Sequence, residues 1–369
     1  MIQDDPELSG VAAVLFDEFH ERSLDADLGL ALALETQGAL RDDLRLVVMS
    51  ATLDGDPIAR LMGNCPVITS EGRAYPVETK YLAPKPDKWG NTRIDAEMTG
   101  AIKTALREES GSILAFLPGQ GEITRVESAL KDAVGSDVII APLYGAMDAK
   151  AQDVAIQPAP DGKRKVVLAT AIAETSLTID GIRVVIDSGL QRLPRFDPAS
   201  GMTRLVTVKS SQASAEQRRG RAGRLEPGVC YRLWPENEHC ARAPFTAPEI
   251  SDADLAPLTL ELARWGVTDP ETLPWLDVPD RAKIDQARDV LRGLEALDGE
   301  NRITPMGTAM AGLPVHPRLA HMMLRGAQLG LEVSPVRWRR CCRIVMSCAA
   351  AGQICSFGLR QSSRAGRPK

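Results

Sequence analysis

Short apolar runs alternate with helix-like stretches through the larger, N-terminal part of the chain. The runs are bounded by glycine, proline or polar residues, as expected of strands buried on both faces of a sheet. Six of them cover residues 10–16, 45–52, 111–119, 137–145, 165–170 and 182–189. In the segment 122–134 apolar residues recur at helical spacing, as in a helix that connects parallel strands. The pattern predicts an α/β fold built on parallel sheets.

The pattern changes after a further apolar run at residues 228–234. Strand-like runs become scarce, and proline-rich joints separate short amphipathic helices. In residues 285–298 five apolar positions form one helical stripe: Ala287, Val290, Leu291, Leu294 and Leu297. Turn-forming residues at 301–307 predict a short hairpin beyond this stripe. The sequence therefore predicts a smaller, mainly helical module after the α/β part.

The charge of the chain is unevenly distributed. The 369 residues carry a net charge of -5, with 44% hydrophobic and 25% charged residues, which is typical of a globular chain of two or three domains. Residues 333–369 carry +8 and no acidic residue, so residues 1–332 carry -13. An acidic body does not attract nucleic acid through its overall field, so a phosphate backbone would have to bind in a local groove.

Cysteine usage and hydropathy exclude several classes of protein. The seven cysteines contain no Cys-x-x-Cys pair and the four histidines are scattered, so neither a zinc framework nor a redox motif is present. We interpret the cysteines as reduced thiols. No apolar run reaches the roughly 18 residues of a membrane span. These features predict a cytoplasmic protein that does not enter the membrane.

Two carboxylates and a histidine end the first apolar run. Asp17 and Glu18 would lie at the carboxyl end of a parallel strand, where open α/β sheets bind their ligands. An aspartate there can bind Mg²⁺, and a neighbouring glutamate can orient and deprotonate an attacking water. His20 follows, and Ser50 and Thr52 end the second run with two hydroxyls. Taken singly, these patterns fit a solvated turn or a helix N-cap equally well.

The segment "AEQRRGRAGRLEPG", residues 215–228, is the most specific signal. Arg221 and Arg224 are three residues apart, so on a helical turn they project from one face and suit the charge of a phosphoryl group. Gln217, one turn earlier, is placed to orient the γ-phosphate or the water. The alternative is a flexible Arg-Gly-rich segment that binds RNA nonspecifically.

A hydroxyl-rich loop connects the fifth and sixth runs. It contains Thr170, Thr175, Thr178 and Asp180. Such a loop offers donors to phosphate oxygens, which position a strand without reading its sequence. An ordinary polar connection would have the same composition.

The order of these motifs resembles that of superfamily 2 helicases of the DEAH-box group. The series is Asp-Glu-x-His, Ser-Ala-Thr, Phe-Leu-Pro-Gly, "ATAIAETSLTI" and "QRRGRAGR". Finer features, such as "DEFHERSLDADLGLAL" and "HPRLAHMML", are similar to bacterial HrpB-type ATP-dependent helicases. The resemblance covers roughly residues 1–332.

The resemblance implies tandem RecA-like domains, the first incomplete, followed by a small winged-helix-like, mainly helical module. The implied boundaries are 1–72 for the first RecA-like domain, 73–238 for the second, 239–305 for the winged-helix-like module, 306–332 for the start of a helical bundle and 333–369 for an atypical basic tail. We interpret the tail as disordered or aberrant. The alternative is a basic arm that adds RNA affinity.

The resemblance also implies roles for the motif residues, since in that family two RecA-like domains hold ATP between them and grip single-stranded RNA across their tops. Asp17 would bind Mg²⁺, Glu18 would activate water, and His20 would link the nucleotide to the second domain. Ser50 and Thr52 would couple the two domains.

The other implied roles belong to the second domain. Gln217, Arg221 and Arg224 would complete the γ-phosphate site. Thr170, Thr175 and Thr178 lie in the loop that would contact RNA phosphates, while Thr178 and Asp180 would sense the nucleotide. Ala171 departs from the polar residue common at its position, which puts one of these contacts in doubt.

One expected motif is missing from the chain. No Gly-x-x-x-x-Gly-Lys-[Ser/Thr] sequence occurs, and the Gly162–Lys163 pair is followed by Arg164. Only sixteen residues precede Asp17, and Met1 resembles an internal position of such helicases. Since losing one arginine finger can cost about 10³ to 10⁵ in rate, losing the phosphate loop predicts no meaningful ATP turnover by this chain alone.

The sequence thus predicts part of an ATP-dependent RNA helicase that uses ATP and Mg²⁺, with DNA possible in place of RNA because backbone contacts report the sugar only weakly. The alternative is a non-enzymatic remnant that binds nucleic acid or a protein partner. ATP-dependent strand separation distinguishes the two.

Overall fold

The computed structural model describes residues 2–51, 55–70, 72, 75–84, 93–174, 177, 179–198 and 200–329. All six predicted apolar runs contain strands, so the α/β prediction is confirmed. No helix within these ranges is long and apolar enough to cross a membrane. Residues 333–369, Thr52, Thr175 and Thr178 lie outside the described residues, and the domain boundaries stay a prediction.

The N-terminal unit is a two-stranded parallel sheet with one connecting helix. It consists of β1 (Ala13–Phe16), α1 (Leu24–Ala39) and β2 (Arg45–Val48), and α2 (Asp56–Leu61) follows. Helix α1 begins where the Ser23 side chain accepts a hydrogen bond from the Ala26 N–H. The strands expose part of their apolar surface, because the side chain of Leu15 is 61% exposed and that of Val47 is 43% exposed.

The main unit is a six-stranded sheet in which every neighbouring pair is parallel. Along the chain its first elements are β3 (Val77–Tyr81), α3 (Ile94–Glu108), β4 (Ser112–Phe116), α4 (Gln120–Lys131), β5 (Val138–Leu143), α5 (Ala149–Ile156), β6 (Arg164–Ala169) and β7 (Ile182–Asp187). A hairpin of β8 (Leu190–Asp197) and β9 (Met202–Lys209), helix α6 (Gln212–Gly220) and β10 (Gly228–Arg232) complete it. The spatial order is β3-β10-β7-β4-β6-β5.

Each face of this sheet carries its own core, because successive strand residues point to opposite sides. Ile113 and Ala115 of β4 join one buried cluster, whereas Leu114 and Phe116 join the other. The predicted connecting helix is confirmed as α4. The pattern of buried apolar runs could not reveal β8 and β9, because most of their residues are exposed or only partly buried.

The C-terminal unit is helical, as predicted. It contains α8 (Ala256–Trp265), α9 (Arg281–Gly293), α10 (Pro305–Ala311) and α11 (Pro317–Gln328). The short helix α7 (Glu236–Cys240) precedes it and packs on the six-stranded unit, where His239 contacts Tyr81 and Trp234. The core of the C-terminal unit also includes Ala31 and Leu32 of α1, so the N-terminal helix packs against this unit. Polar contacts support the packing: Trp265 Nε1 donates to Glu35 at 2.6 Å, and Arg22 pairs with Asp277 at 2.6 Å.

Two details of the predicted stripe and hairpin are corrected. Helix α9 ends at Gly293, so Leu297 lies beyond it, in an antiparallel bridge with Ile303. The turn precedes the predicted 301–307, because the Asp298 carboxylate accepts the N–H groups of residues 300 and 302. Thr304 then caps α10, which takes up the rest of the predicted turn.

Candidate nucleotide and nucleic-acid site

The two predicted carboxylates lie in a tight turn directly after β1. Asp17 is exposed, and its Oδ1 accepts the Glu18 N–H at 2.8 Å. Glu18 has φ +50°, a left-handed conformation that costs a residue with a side chain about 1–3 kcal/mol. The turn therefore fixes the direction of the Glu18 carboxylate relative to the end of the strand.

His20 connects three of the predicted motifs. Its Nδ1 lies 3.4 Å from Glu18 Oε2 and 3.3 Å from the Ala51 nitrogen, while its Nε2 lies 2.6 Å from Gln217 Nε2. The Phe19 N–H donates to the Met49 carbonyl at 2.9 Å and holds the ends of β1 and β2 together. The imidazole is thus the contact through which the N-terminal unit meets helix α6 of the six-stranded unit.

The tautomer of His20 decides how this contact works. If Nδ1 accepts from the Ala51 N–H, then Nε2 carries the proton, and the Gln217 carboxamide must be turned over so that its oxygen takes the place of Nε2 and accepts. If Nδ1 carries the proton, it donates to Glu18, and Nε2 accepts from the Gln217 amide. A charge change at Glu18 therefore reaches Gln217 through one ring.

We expect His20→Ala to lower the free energy of unfolding by about 1–2 kcal/mol, because it removes the partner of Gln217 and of the Ala51 N–H. Urea denaturation followed by circular dichroism measures this loss. His321→Ala, on α11, is the matched control. Equal midpoints for the two variants would contradict a connecting role for His20.

The arginine segment forms the end of α6 and the turn that follows. Ser211 caps the helix, and a single 3-10 turn covers Arg221–Gly223. Arg221 Nε donates to the Glu174 carbonyl oxygen and Arg221 Nη1 donates to that of Leu177, each at 2.8 Å, so Arg221 is held by the predicted phosphate-binding loop. Both Arg221 and Arg224 have further partners within the chain.

Burial shapes the electrostatics of Arg221. Desolvation, with the nearby charge of Arg224 acting in the same direction, lowers the pKa of Arg221 to about 10, while Glu174 and Glu18 act in the opposite direction. The Glu18 carboxylate is thus close enough to act on Arg221, as expected from the contact of His20 with Gln217 that joins the carboxylate turn to the arginine segment. A partly desolvated cation there favours an incoming anion such as a phosphate.

Arg218 has a role that sequence reasoning missed. Its side chain is buried and pairs with Glu174 and with the fully buried Asp187, each at 2.9 Å. Burial lowers the pKa of Arg218, but the two carboxylates outweigh it and raise the pKa overall. Because Glu174 also accepts from Arg221, this ion cluster supports the arginine that faces the cleft. The alternation of Arg and Gly in the sequence gave no signal that separates the two roles.

The remaining predicted residues lie at both edges of the sheets. Ser50 is exposed directly after β2 and has a partner within the chain. Thr170 follows β6 at the carboxyl edge of the six-stranded sheet. Asp180 is exposed just before β7, at the amino edge of the six-stranded sheet. Arg221 lies at the same edge, next to the start of β10. The structure therefore brings Asp180 to the arginine edge and Thr170 to the opposite one.

The carboxyl edge carries further polar groups near Thr170. Gln120 begins α4, and its side-chain amide donates to the Tyr144 hydroxyl at 3.1 Å. Arg192 of β8 approaches Gly119 and pairs with Glu122 at 3.3 Å. Gly119 precedes α4 without a side-chain cap, and the free N–H groups of a helix N-terminus suit phosphate oxygens.

The residues present fit a nucleotide-bound Mg²⁺ better than an autonomous metal site. Within the described residues no group of three or more His, Cys, Asp or Glu side chains could hold a metal ion. Mg²⁺ usually binds through one or two carboxylates together with substrate phosphates. The exposed Asp17 carboxylate, which accepts one backbone hydrogen bond, suits that shared coordination.

Two family models match separate parts of the chain. A family model of the helicase conserved C-terminal domain matches residues 96–226. A second model, for the winged-helix part of the helicase associated domain (HA2), matches residues 287–315. The first match covers the α3 to α6 region with Thr170 and the arginine segment, and the second covers α9 and α10.

Several relatives are helicases. The ATP-dependent RNA helicase HrpB of Escherichia coli is 52% identical over 324 residues, which are 88% of this chain and 39% of that protein. The pre-mRNA-splicing factor ATP-dependent RNA helicase prp22 of Schizosaccharomyces pombe is 39% identical over 335 residues, 88% of this chain and 28% of that protein. The chain therefore spans well under half the length of these relatives.

The solved structures agree with the sequence relatives. A crystal structure of the Escherichia coli DEAH/RHA helicase HrpB matches with a TM-score of 0.81 and 52% identity, covering 87% of this chain and 40% of that one. A second, described as the Escherichia coli DExH-box NTPase HrpB, matches with a TM-score of 0.79. The resemblance inferred from the motif order is confirmed: over most of its length the chain is similar to DEAH-box helicases of the HrpB type, and it carries the helicase conserved C-terminal domain and the winged-helix part of the HA2 domain.

Proposed function

We propose that this chain is the part of an ATP-dependent RNA helicase that senses the nucleotide on one edge of its sheet and holds RNA on the other. The observation that carries the proposal is the contact between His20 Nε2 and Gln217 Nε2 at 2.6 Å. It joins the carboxylate turn to the arginine segment, so that both face one cleft.

The nucleotide side of the proposal uses residues from both units. Asp17 would bind Mg²⁺, which neutralises phosphate charge when bound, and Glu18 would orient and deprotonate the attacking water. Arg221 and Arg224 would meet the γ-phosphate from the opposite wall. Asp180 is on the same edge as Arg221, which supports a role in sensing the nucleotide.

The coupling side of the proposal rests on the His20 contacts. A change in charge at Glu18 alters the partner preference of His20 Nδ1, and the ring passes this change to Gln217. Ser50 lies beside the same strand end, next to the Ala51 N–H that bonds to His20. Thr52 is assigned to this coupling by family resemblance alone.

The RNA side of the proposal lies at the carboxyl edge of the six-stranded sheet. Thr170, Gln120, Tyr144 and Arg192 supply hydroxyl, amide and guanidinium donors there, and α4 presents its N-terminal N–H groups. Such donors bind the phosphate backbone without reading base sequence. Thr175 and Thr178 join this surface by family resemblance, and discrimination of RNA from DNA requires contacts to the 2′-hydroxyl.

We expect the 369-residue chain by itself to show no ATP turnover above background, with or without single-stranded RNA, because its sequence holds no phosphate-binding loop. A coupled assay of phosphate release measures this. Glu18→Gln serves as the control, since it removes the general base but keeps the size of the side chain.

Turnover that Glu18→Gln abolishes would contradict the proposal that the chain lacks a working hydrolytic site. Turnover that persists unchanged in the variant would identify a contaminating ATPase.

A cytoplasmic location is proposed from cysteine usage alone.

A further inference from the structure

A cavity of about 400 Å³ lies away from the cleft, where three parts of the chain meet. Its walls come from the β8–β9 hairpin, from the segment before α8 together with α9, and from the first turn of α11. None of its lining residues belongs to the candidate site described above. The volume lies within the range of small-ligand pockets, about 300–1,000 Å³.

The charged groups of the cavity are not balanced. Its carboxylates are engaged: Asp252 pairs with Arg195 at 3.3 Å, and Asp254 lies 3.0 Å from His316 Nε2. Asp254 also accepts the Ala256 N–H at 2.9 Å. Lys283 and Arg318 form no ion pair within the described part of the chain, although the charge of Asp254 also acts on Arg318. With three cations against two carboxylates, the lining carries one positive charge in excess.

Arg318 carries the clearest sign of a missing partner. Its Nε is buried and has no hydrogen-bond partner among the described residues. Burying such a donor without a partner costs about 1–3 kcal/mol, so an acceptor is favoured there. The hairpin turn passes close to the guanidinium, because a Cβ added at Gly201 would lie 3.3 Å from it.

Lys283 approaches the same space from α9. Its Nζ donates to the Ser251 carbonyl, a neutral acceptor that leaves the positive charge uncompensated. Together the ammonium of Lys283 and the guanidinium of Arg318 offer several charged donors to the terminal oxygens of a phosphate monoester.

The rest of the cavity wall is apolar. Phe196, Pro198, Leu255 and Val290 line it. Small-molecule sites commonly combine such a wall with a few placed polar groups. An aromatic ring beside two phosphate-binding cations suits a base that stacks while its phosphate is held.

We propose that this cavity binds a nucleoside phosphate, with Lys283 and Arg318 on the phosphate and Phe196 against the base. The ligand is either a free mononucleotide or one nucleotide unit of a bound strand. The site is separate from the cleft between Glu18 and Arg221, so it does not depend on the proposed hydrolytic role.

The test is a titration of the full chain with adenosine 5′-monophosphate, followed by ³¹P NMR, with adenosine as the ligand that lacks phosphate. We expect Lys283→Gln and Arg318→Gln each to weaken nucleotide binding at least about tenfold, the effect of losing one charge-assisted contact. Arg281→Gln is the matched control, because Arg281 is exposed on the same helix and outside the lining.

Gln286→Trp provides a second variant that keeps both cations. Gln286 is exposed at the cavity wall, so a tryptophan there fills the space without disturbing the core. We expect it to weaken binding of the mononucleotide as strongly as the charge variants do. Thermal melting confirms that each variant is folded.

A single-stranded RNA oligonucleotide distinguishes the two sources of the phosphate. If only the RNA loses affinity in Lys283→Gln and Arg318→Gln, the strand is the ligand and the proposal stands. If Lys283→Gln, Arg318→Gln and Gln286→Trp bind both the mononucleotide and the RNA as tightly as Arg281→Gln does, the proposal is overturned. If RNA affinity falls when Thr170 is substituted but not when Lys283 or Arg318 is, the proposed function stands and the nucleotide site in this cavity is refuted.

Discussion

Arg218→Met is expected to lower the free energy of unfolding by about 3–5 kcal/mol. The substitution keeps most of the side-chain volume but removes the charge that balances Asp187, which is fully buried. Breaking a buried ion pair by removing one partner leaves an uncompensated charge, and that is the source of the large cost. Urea denaturation measures the loss.

Arg204→Met is the matched control for this prediction. Arg204 is 67% exposed and lies 3.9 Å from Asp197, so its loss should cost about 0–1 kcal/mol. Adding Asp187→Asn to Arg218→Met removes the carboxylate charge that was left without a partner and should recover part of the free energy of unfolding. A double variant that is less stable than Arg218→Met would show that the cost does not come from the unpaired carboxylate.

Gly228→Ala is expected to cost about 2–3 kcal/mol, because a methyl group there would meet backbone on two sides. A Cβ at this position would lie 2.4 Å from the Ala222 carbonyl oxygen and 2.7 Å from that of Arg183. Neither atom belongs to a flexible side chain, so β10, β7 and the arginine turn must move apart. The shift of the unfolding midpoint measures the cost.

Gly100→Ala offers the matched comparison. Gly100 lies inside α3 with open space around the position of a Cβ, so alanine should stabilise the helix by about 0.5–1 kcal/mol. Opposite signs for the two substitutions are expected. A Gly228→Ala variant as stable as the parent would contradict the close approach of the arginine turn to the sheet.

The strands of the six-stranded sheet were predictable because burial on both faces leaves continuous apolar runs. Strands β4, β6 and β7 follow this rule closely. Strand β3 and the β8–β9 hairpin do not, since most of their residues are partly or fully exposed. Apolar runs therefore revealed the buried strands and the apolar edge strand β5, and missed β3 and the hairpin.

The motif residues were predictable by type and order, but their partners were not. The motif order indicated that Glu18 and Arg221 serve one site, and the structure joins their segments through the contact of His20 with Gln217. It could not show that Arg218, three residues before Arg221, is buried on Asp187 instead of facing the cleft. Which arginine of a repeated pattern points inward depends on the packing of α6 on the sheet.

The placement of the N-terminal helix also depends on tertiary structure. The sequence predicted two strands and their connection, yet gave no sign that Ala31 and Leu32 join the core of the helical unit. That contact joins segments more than 200 residues apart in the chain, as the Trp265–Glu35 hydrogen bond illustrates. Local periodicity carries no information about such a partner.

Fluorescence anisotropy of a labelled single-stranded RNA directly tests the proposed binding of RNA at the carboxyl edge of the six-stranded sheet. We predict saturable binding by the chain that weakens linearly with the logarithm of salt concentration. Thr170→Val should weaken it about fivefold, the effect of one neutral hydrogen bond, while Thr268→Val, exposed in the helical unit, should leave it unchanged. Absence of saturable binding, or equal affinity in the two variants, would contradict the account.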